Sequence, residues 1–359
     1  MSEPSRQELF SGTMPVREAH KIDVGALNAW MQENVDGYKG PLQLEQFKGG
    51  QSNPTYKLIT PEHSYVLRRK PPGKLLKSAH AVDREYKVIT ALGSVGFPVA
   101  KTYGLCLDED VIGTWFYVMD CVEGRVIWDG SFPDVSREER PAYFDAMNET
   151  ISQLHSIDYE AIGLGDYGKP GNYFERQIAR WSQQYLNDEE AGRFEAMDRL
   201  VEWLPANIPP GDETTIVHGD YRCDNMIFHP SEPKVLAVLD WELSTLGHPL
   251  ADFSYHLMMY RMPPVGTTGL VGQDLKALNI PSEEEYVEAY CKRVGRENGI
   301  PNLDFYFAYN LFRLAAIVHG IQGRVVRGTA ASKHAKQMGA MIEPLANLAW
   351  VQAEKASKA

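Results

Sequence analysis

The sequence has few cysteines, and they are widely spaced. Its 359 residues include four cysteines, Cys106, Cys121, Cys223 and Cys291, and no pair of them has the C-x-x-C spacing. This pattern does not indicate a disulfide framework or a thiolate zinc site. Unpaired thiols of this kind are typical of a protein in a reducing compartment.

The sequence also lacks a long apolar run. Its first residues, MSEPSRQELFSGTMPV, do not contain the apolar segment of about 7–15 residues found in a secretory signal. No later stretch approaches the roughly 20 apolar residues that cross a bilayer. We therefore expect a cytoplasmic protein with no membrane partner.

An excess of positive charge is missing as well. The chain has 36 Lys and Arg residues against 48 Asp and Glu residues, which gives a net charge of -12 at pH 7. Because this charge repels polyanions, we do not expect a nucleic-acid partner. With 43% hydrophobic and 23% charged residues, the composition is that of a folded globular protein. The length suggests roughly two domains.

The first third of the chain has the pattern of a small antiparallel sheet. Three strand-like segments, LEQF, TYKLIT and YVLRR, lie between the turn-prone segments KGGQSNP and PEHS. Ser78 can cap a helix that follows, in which Val82 and Ile89 share one face and Gly93 marks the end. Two further segments, KTYGLCL and TWFYVMDCV, predict a hairpin. We predict one domain over residues 1–122, made of this sheet and one main helix.

The rest of the chain has a mostly helical pattern. Apolar residues with helical spacing predict helices near 141–156, 173–185, 192–204 and 303–326, and Ser282 precedes a Glu-rich helix start. Two short apolar segments, TTIV and KVLAVL, are predicted strands, and we expect a short hairpin in this region. We therefore predict an α+β fold with a second, mostly helical domain over residues 123–359.

The residues that follow these two short strands are the ones best suited to chemistry. Asp220 follows the first strand, Asn225 comes five residues later, and Asp240 ends the second strand. Magnesium prefers oxygen ligands, which carboxylate and amide side chains supply. A carboxylate in such a set can also orient an acceptor hydroxyl and accept its proton. The set therefore indicates phosphoryl transfer, in which metal binding and alignment do most of the catalysis.

These motifs resemble those of the aminoglycoside phosphotransferase (APH) and choline kinase family, which has the protein-kinase-like fold. The stretches GGQSNPTY, YVLRRKPPG, HGDYRCDN and VLAVLDWELSTLGHPLADF carry the resemblance. It implies a bilobal fold with ATP and Mg²⁺ as cofactors and an active site between the lobes. It also implies that Asp220 is the catalytic base and that Asn225 and Asp240 bind the metal.

The resemblance gives a nucleotide-binding role to three residues of the first lobe. Val66 would cover the adenine, and Arg68, two residues later on the same strand face, would hold the phosphates. Arg68 stands where the family's relatives among kinases carry Lys, and a guanidinium can also bind phosphate. Glu85, on the following helix, would pair with Arg68. The alternative is an ordinary surface ion pair between these two residues.

Two further elements of the first lobe complete the expected nucleotide site. Gly49, Gly50 and Ser52 lie in the loop that would cover the phosphates, although a glycine-rich turn without this role is the alternative. Met119 lies in the segment FYVMD, which corresponds to the hinge whose backbone binds adenine in kinases.

Other residues have two interpretations. Arg222, two residues after Asp220, is either a catalytic residue near the γ-phosphate or a partner in a surface ion pair. His218 is expected to form structural hydrogen bonds rather than to act as a base. Asp252 either braces the catalytic loop or is an acid at a helix N-terminus. The aromatic residues of 305–312 are expected in the core, with a substrate cleft as the alternative.

Within this family, the sequence resembles the branch related to the N-terminal kinase-like part of certain acyl-CoA dehydrogenases. We therefore expect an ATP- and Mg²⁺-dependent phosphotransferase that moves the γ-phosphate to a hydroxyl of a small molecule, such as a hydroxyacyl-CoA or a hydroxy acid. An aminoglycoside or choline-type kinase and a non-catalytic nucleotide-binding module are the alternatives. The sequence does not indicate the oligomeric state.

Overall fold

The computed structural model describes residues 11–48, 53–71, 81–264, 268–329 and 338–358. The chain divides into two compact units, and each unit uses several segments of the sequence. The first unit comprises Met1–Tyr167, Arg222–Ser244 and Met262–Ser282, and the second comprises Gly168–Tyr221, Thr245–Arg261 and Glu283–Ala359. The domain limits that the sequence suggests, 1–122 and 123–359, stay a prediction. Within the described ranges, none of the helices is long and apolar enough to cross a membrane.

Strands and helices alternate in groups along the chain. The strands are β1 (Thr13–Met14), β2 (Gln43–Phe47), β3 (Thr55–Ile59), β4 (Ser64–Arg69), β5 (Thr102–Cys106), β6 (Phe116–Asp120), β7 (Thr215–Val217), β8 (Met226–Phe228), β9 (Val235–Val238) and β10 (Thr245–Gly247). The helices are α1 (Val24–Asn34), α2 (Val82–Ser94), α3 (Glu109–Ile112), α4 (Arg140–Ser156), α5 (Tyr173–Asn187), α6 (Glu195–Ala206), α7 (Pro249–Leu257), α8 (Leu275–Leu278), α9 (Glu283–Val294), α10 (Leu303–Val326) and α11 (Ile342–Ala356). This mixture is the α+β class that the sequence predicts.

An antiparallel sheet with the strand order β1-β2-β3-β4-β6-β5 is the main element of the first unit. It contains the five strands predicted for this region, and β1 extends it at one edge. The register places Val66 opposite Met119 and Arg68 opposite Tyr117. Two residues predicted to bind the nucleotide, Val66 and Met119, are therefore cross-strand neighbours.

The core under this sheet includes a helix that the sequence pattern did not reveal. Leu27 and Met31 of α1 are fully buried in the same apolar cluster as Tyr56, Leu67 and Val118 of the sheet. Only these two residues of α1 are buried, so its apolar stripe is narrow. Amphipathic spacing is a weak signal for a helix of this kind.

Helix α2 carries Glu85 and lies against the sheet. It packs against β5 and β6 and against the short 3₁₀ turn Trp241–Leu243. Its end near Gly93 agrees with the prediction, whereas the predicted capping residue, Ser78, lies outside the described residues.

The predicted short hairpin is present, but its strands differ from those expected. KVLAVL contributes β9, which pairs with β8 in the first unit, whereas TTIV contributes β7, which pairs with β10 in the second. Strand β8 begins directly after a 3₁₀ turn that ends at Asn225. A short loop connects β8 to β9, with which it pairs in antiparallel fashion. Asn225 and Asp240 thus lie at the start of β8 and just beyond the end of β9.

Helices dominate the second unit. Helix α10 packs against α5, α7 and α11. Its aromatic residues are at most 5% exposed, which confirms the core interpretation: Phe305, Tyr306, Phe307, Tyr309 and Phe312. Helix α10 thus packs against α7, the helix that carries Asp252 and Tyr255.

Candidate active site

Arg68 is the centre of a buried charge network in the first unit. Its Nε atom lies 2.7 Å from Oε2 of Glu85, and its Nη2 atom donates to Oδ1 of Asp240 at 2.6 Å. Oε2 of Glu242 lies 3.5 Å from the same Nη2 atom. The side chains of Arg68 and Glu85 are only 11% and 2% exposed, so the alternative of a surface ion pair is wrong.

Glu85 receives two further hydrogen bonds. Asn53 donates through Nδ2 at 3.0 Å, and the hydroxyl of Tyr117 donates at 3.1 Å. Because a buried carboxylate is costly unless donors surround it, these contacts support the ionised form of Glu85. They also fix the position of the carboxylate that holds Arg68.

Burial and neighbouring charges act against each other on both central pKa values of this network. Burial raises the pKa of Glu85 above its ordinary value, and the Arg68 guanidinium opposes that rise. Burial alone would lower the pKa of Arg68, but the carboxylates of Glu85 and Asp240 outweigh it and the pKa is raised. Arg68 therefore remains a cation at any physiological pH and can attract phosphate oxygens.

Asp240 has an unusual backbone conformation. Its φ of 64° and ψ of 62° lie in the left-handed region, which a non-glycine residue rarely adopts. Such a conformation persists only where the surrounding structure enforces it, and it is frequent at functional sites. The Asp240 side chain is 36% exposed, so its carboxylate can still be reached from solvent.

Asn225 lies close in the fold to the residue that precedes Asp240. Its backbone carbonyl accepts a hydrogen bond from the Leu239 amide at 2.8 Å. Within the described part of the chain, no group of three His, Cys, Asp or Glu side chains could by itself hold a metal ion. Asn225 and Asp240 nevertheless supply two oxygen donors. Oxygen donors of this kind fit a magnesium ion, which would take its remaining ligands from water and phosphate, and a metal-binding role for these two residues stays a prediction.

The other predicted nucleotide-binding residues divide into two groups. Val66 and Met119 lie on the central strands β4 and β6, and Val66 is 8% exposed. Gly49, Gly50 and Ser52 lie outside the described residues. A role in adenine or phosphate binding stays a prediction for all five.

In the second unit, the side chain of Asp220 is held by Tyr255. The Tyr255 hydroxyl donates to Oδ1 of Asp220 at 2.5 Å. Arg313 of α10 donates to the Gly219 carbonyl at 3.0 Å, and its guanidinium lies 5.5 Å from the centre of the Tyr255 ring. Tyr255 and Arg313 are not evident from the sequence pattern, since each lies far along the chain from residue 220.

Asp252 braces the backbone of the same loop. Its carboxylate accepts hydrogen bonds from the amides of His218 and Gly219 at 2.7 Å and 2.8 Å. Asp252 also lies in the first turn of α7, so both interpretations of this residue apply. Nδ1 of His218 accepts from the Asp220 amide at 3.2 Å, which confirms the structural interpretation of His218.

Arg222 forms an ion pair with Asp224, with Nη2 of Arg222 3.2 Å from Oδ2 of Asp224. The Asp224 side chain is 1% exposed, so this contact is more than a surface pair. The suggested role of Arg222 beside the γ-phosphate stays a prediction.

Three further residues in the Arg68 network were not predicted from the sequence. Glu242, which contacts Arg68, belongs to the sequence Asp240-Trp241-Glu242, and this motif was the available signal. Asn53 ends the glycine-rich loop, and Tyr117 lies opposite Arg68 in the sheet. Their contacts with Glu85 depend on how the strands and α2 pack.

Comparison with known proteins identifies the family. A model of the APH phosphotransferase enzyme family matches residues 43–306. The chain belongs to the APH family. It is 43% identical to mouse acyl-CoA dehydrogenase family member 10 and 41% identical to human acyl-CoA dehydrogenase family member 11. These matches cover 96% and 91% of this chain but only 32% and 42% of the relatives, so the chain spans less than half of their length.

Solved structures confirm the APH fold. A protein from Ralstonia eutropha, described provisionally as an aminoglycoside phosphotransferase, is 52% identical, with a TM-score of 0.86 over 93% of this chain and 99% of that one. A thermostable mutant of aminoglycoside phosphotransferase APH(4)-Ia in complex with AMP-PNP and hygromycin B has a TM-score of 0.58 at 13% identity, over 91% and 98% of the two chains. The predicted protein-kinase-like fold is confirmed. The family and the fold are those of small-molecule kinases.

Proposed function

We propose that this APH-family chain transfers the γ-phosphate of ATP to a hydroxyl of a small acyl molecule, in a magnesium-dependent reaction. The observation that carries the proposal is the Arg68 guanidinium, which contacts Glu85 and Asp240 at 2.7 Å and 2.6 Å. This arrangement places a permanent cation beside an oxygen donor suited to magnesium. The ATP analogue bound by APH(4)-Ia supports a nucleotide as the phosphate donor.

Four residues would do most of the work. Asp220 would orient the acceptor hydroxyl and accept its proton, and Tyr255 keeps that carboxylate in position. Asn225 and Asp240 would hold the magnesium, which when bound supplies positive charge that neutralises the phosphates. Arg68 would align those phosphates for transfer.

The remaining predicted residues would surround the nucleotide. Val66 and Met119 would contact the adenine, while Gly49, Gly50 and Ser52 would cover the phosphates. Arg222, which pairs with Asp224, would lie near the transferred phosphate.

The choice of an acyl acceptor rests on the curated relatives. Acyl-CoA dehydrogenase family members 10 and 11 have names that refer to acyl-CoA chemistry. Their similarity to this chain supports a hydroxyacyl-CoA or a hydroxy acid as the acceptor.

The direct test measures acceptor-dependent ADP release from Mg-ATP. The acceptors are hydroxyacyl-CoAs, hydroxy acids, choline and aminoglycosides, and the proteins are wild type and Asp220→Asn. The matched control is Asp134→Asn, which makes the same chemical change at an exposed position. We expect turnover with an acyl acceptor in wild type and in Asp134→Asn, and a loss of at least about a hundredfold in Asp220→Asn.

Each other outcome contradicts a definite part of the proposal. Turnover of aminoglycosides alone would refute the acyl acceptor but keep the phosphotransferase. Undiminished turnover in Asp220→Asn would refute the role of Asp220. Tight ATP binding with no turnover of any acceptor would favour a non-catalytic nucleotide-binding module.

A further inference from the structure

Tyr167 connects two parts of the candidate nucleotide site, helix α2 and the turn that follows Asp240. It is 2% exposed and is the last residue of the first segment of the first unit. It lies outside the helices and strands, in the stretch between α4 and α5. Its ring and backbone contact α2, and its hydroxyl contacts the turn that follows Asp240.

The contact with α2 uses the residue next to Glu85. The Arg84 guanidinium lies 4.2 Å from the centre of the Tyr167 ring, and Nη2 of Arg84 donates to the Tyr167 carbonyl at 2.8 Å. Lys87, one turn further along α2, pairs with Asp166 at 2.5 Å. Residues 166–167 therefore attach to the helix that positions the Glu85 carboxylate.

Tyr167 contacts the turn that follows Asp240 through two consecutive hydroxyl hydrogen bonds. Oγ of Ser244 donates to the Trp241 carbonyl at 2.5 Å, and the Tyr167 hydroxyl lies 2.6 Å from the same Oγ. Because the Ser244 proton is directed at Trp241, the Tyr167 hydroxyl is the donor to Ser244. The indole of Trp241 in turn donates to the Val238 carbonyl at 2.9 Å. These bonds close the turn immediately after Asp240.

This closed turn explains how Asp240 keeps a left-handed backbone. A non-glycine residue in that region returns to a more common conformation unless its neighbours prevent it. Residues 241–244 follow Asp240 directly. Tyr167, which also contacts α2, forms a hydrogen bond with Ser244 at the end of this turn. The Tyr167 hydroxyl therefore joins α2 to the turn that follows Asp240.

We infer that Tyr167 is a positioning residue that sets the Asp240 carboxylate for metal binding by joining the turn 241–244 to α2. The inference rests on the proposed function, because it assumes that Asp240 holds the magnesium of a bound nucleotide. Tyr167→Phe keeps the ring that Arg84 covers and removes the hydroxyl that bonds to Ser244. The variant should therefore bind nucleotide without metal as well as wild type does, but bind the metal less tightly.

The test separates metal binding from nucleotide binding. Mn²⁺ replaces Mg²⁺ as a spectroscopic probe, and free Mn²⁺ is titrated by electron paramagnetic resonance in the presence of protein and saturating ADP. The affinity for ADP without metal is measured separately by calorimetry. For Tyr167→Phe we expect the Mn²⁺ affinity to fall about five- to tenfold, because the loss of one hydrogen bond typically changes an equilibrium by a factor of this size. The metal-free ADP affinity should stay within about twofold of wild type.

Two further variants make the result specific. Ser244→Ala removes the acceptor of the same hydrogen bond and also the bond from Ser244 to the Trp241 carbonyl. Its loss of Mn²⁺ affinity should therefore be at least as large as that of Tyr167→Phe, and the double variant should lose no more than Ser244→Ala does. Tyr56→Phe is the matched control, because Tyr56 is fully buried in the first unit and its hydroxyl donates to the His20 carbonyl at 2.7 Å. It should leave the Mn²⁺ affinity unchanged.

The outcomes distinguish this inference from the proposed function. If wild type binds neither ADP nor Mn²⁺-ADP, the proposed function fails, and the inference fails with it. If wild type binds both and Tyr167→Phe has wild-type Mn²⁺ affinity, only the inference is overturned, whatever the affinity of Ser244→Ala. An equal loss in metal-free ADP binding would also overturn it, because that result shows a general structural role. Should Tyr167→Phe not fold, Ser244→Ala decides alone.

Discussion

Replacing Arg68 with methionine removes a cation that contacts three carboxylates. Arg68 contacts Glu85 and Asp240 at 2.7 Å and 2.6 Å and Glu242 at 3.5 Å. Of the three acids, Glu85 is the most deeply buried, with a side chain 2% exposed. The substitution therefore leaves a buried carboxylate without its counter-charge, which is more damaging than the loss of the contacts themselves.

The expected size of the effect follows from this burial. Breaking a buried ion pair by removing one partner costs about 3–5 kcal/mol. The hydrogen bonds that Asn53 and Tyr117 donate to Glu85 remain, so we expect the lower end, about 3 kcal/mol. With about 2–4 °C per kcal/mol for a domain of about 150–250 residues, the melting temperature should fall by roughly 6–12 °C.

Thermal and urea unfolding of three variants test this reasoning. Arg68→Met should be the least stable, and Arg68→Met with Glu85→Gln should regain about 2 kcal/mol, because the second change removes the stranded charge. Glu85→Gln alone should be milder than Arg68→Met, since Arg68 keeps Asp240. The reasoning is refuted if Arg68→Met lies within about 1 kcal/mol of wild type, or if the double variant is no more stable than Arg68→Met.

Three further predictions concern other residues. Burial lowers the pKa of His256 to about 4 in the folded protein, whereas an unfolded histidine has a pKa of about 6.5. As the pH falls below about 6.5, the unfolded chain binds a proton that the folded chain does not bind, so the free energy of unfolding decreases. Urea unfolding should show a loss of about 2 kcal/mol between pH 7.5 and pH 5, which His256→Gln abolishes; an equal pH dependence in the variant would contradict this. Asp252→Asn should destabilise the protein by about 1–3 kcal/mol, because one of the two amides of residues 218–219 loses its acceptor oxygen and the other loses a charged one. The variant should also have lower turnover, while its ADP affinity measured by calorimetry is unchanged. Cys121 is the one partly exposed thiol among the four, so it should react first with Ellman's reagent, and Mg-ADP should slow that reaction if the neighbouring hinge binds adenine; labelling of Cys223 before Cys121 would be the contrary result.

The sequence predicted those parts of the molecule that depend on local pattern. The strands β2 to β6, the helix that carries Glu85 and the helix at 303–326 follow from alternation and helical spacing. The pairing of Arg68 with Glu85 followed from the family resemblance, and the structure confirms the contact. Residues 49, 50 and 52 lie outside the described residues, so that part of the prediction stays open.

What the sequence did not reveal depends on contacts between distant segments. The left-handed backbone of Asp240 cannot be predicted from an aspartate, because neighbouring hydrogen bonds enforce it. Tyr167 lies in a stretch without a periodic pattern, and Tyr255 reaches Asp220 across 35 positions of the chain. Strand β10 has three residues and includes a glycine, which leaves almost no strand signal.

The two edges of the six-stranded sheet affect how copies of the protein can meet. At one edge, β1 covers β2 with only two residues, and Thr13 donates to Glu45 of β2 at 2.5 Å. At the other edge, the register of β5 shifts between Thr102 and Gly104. A very short strand and a bulge are both poor templates for a strand from another molecule. The sheet is therefore protected against edge-to-edge aggregation at both ends, which favours recovery of the protein from concentrated solution.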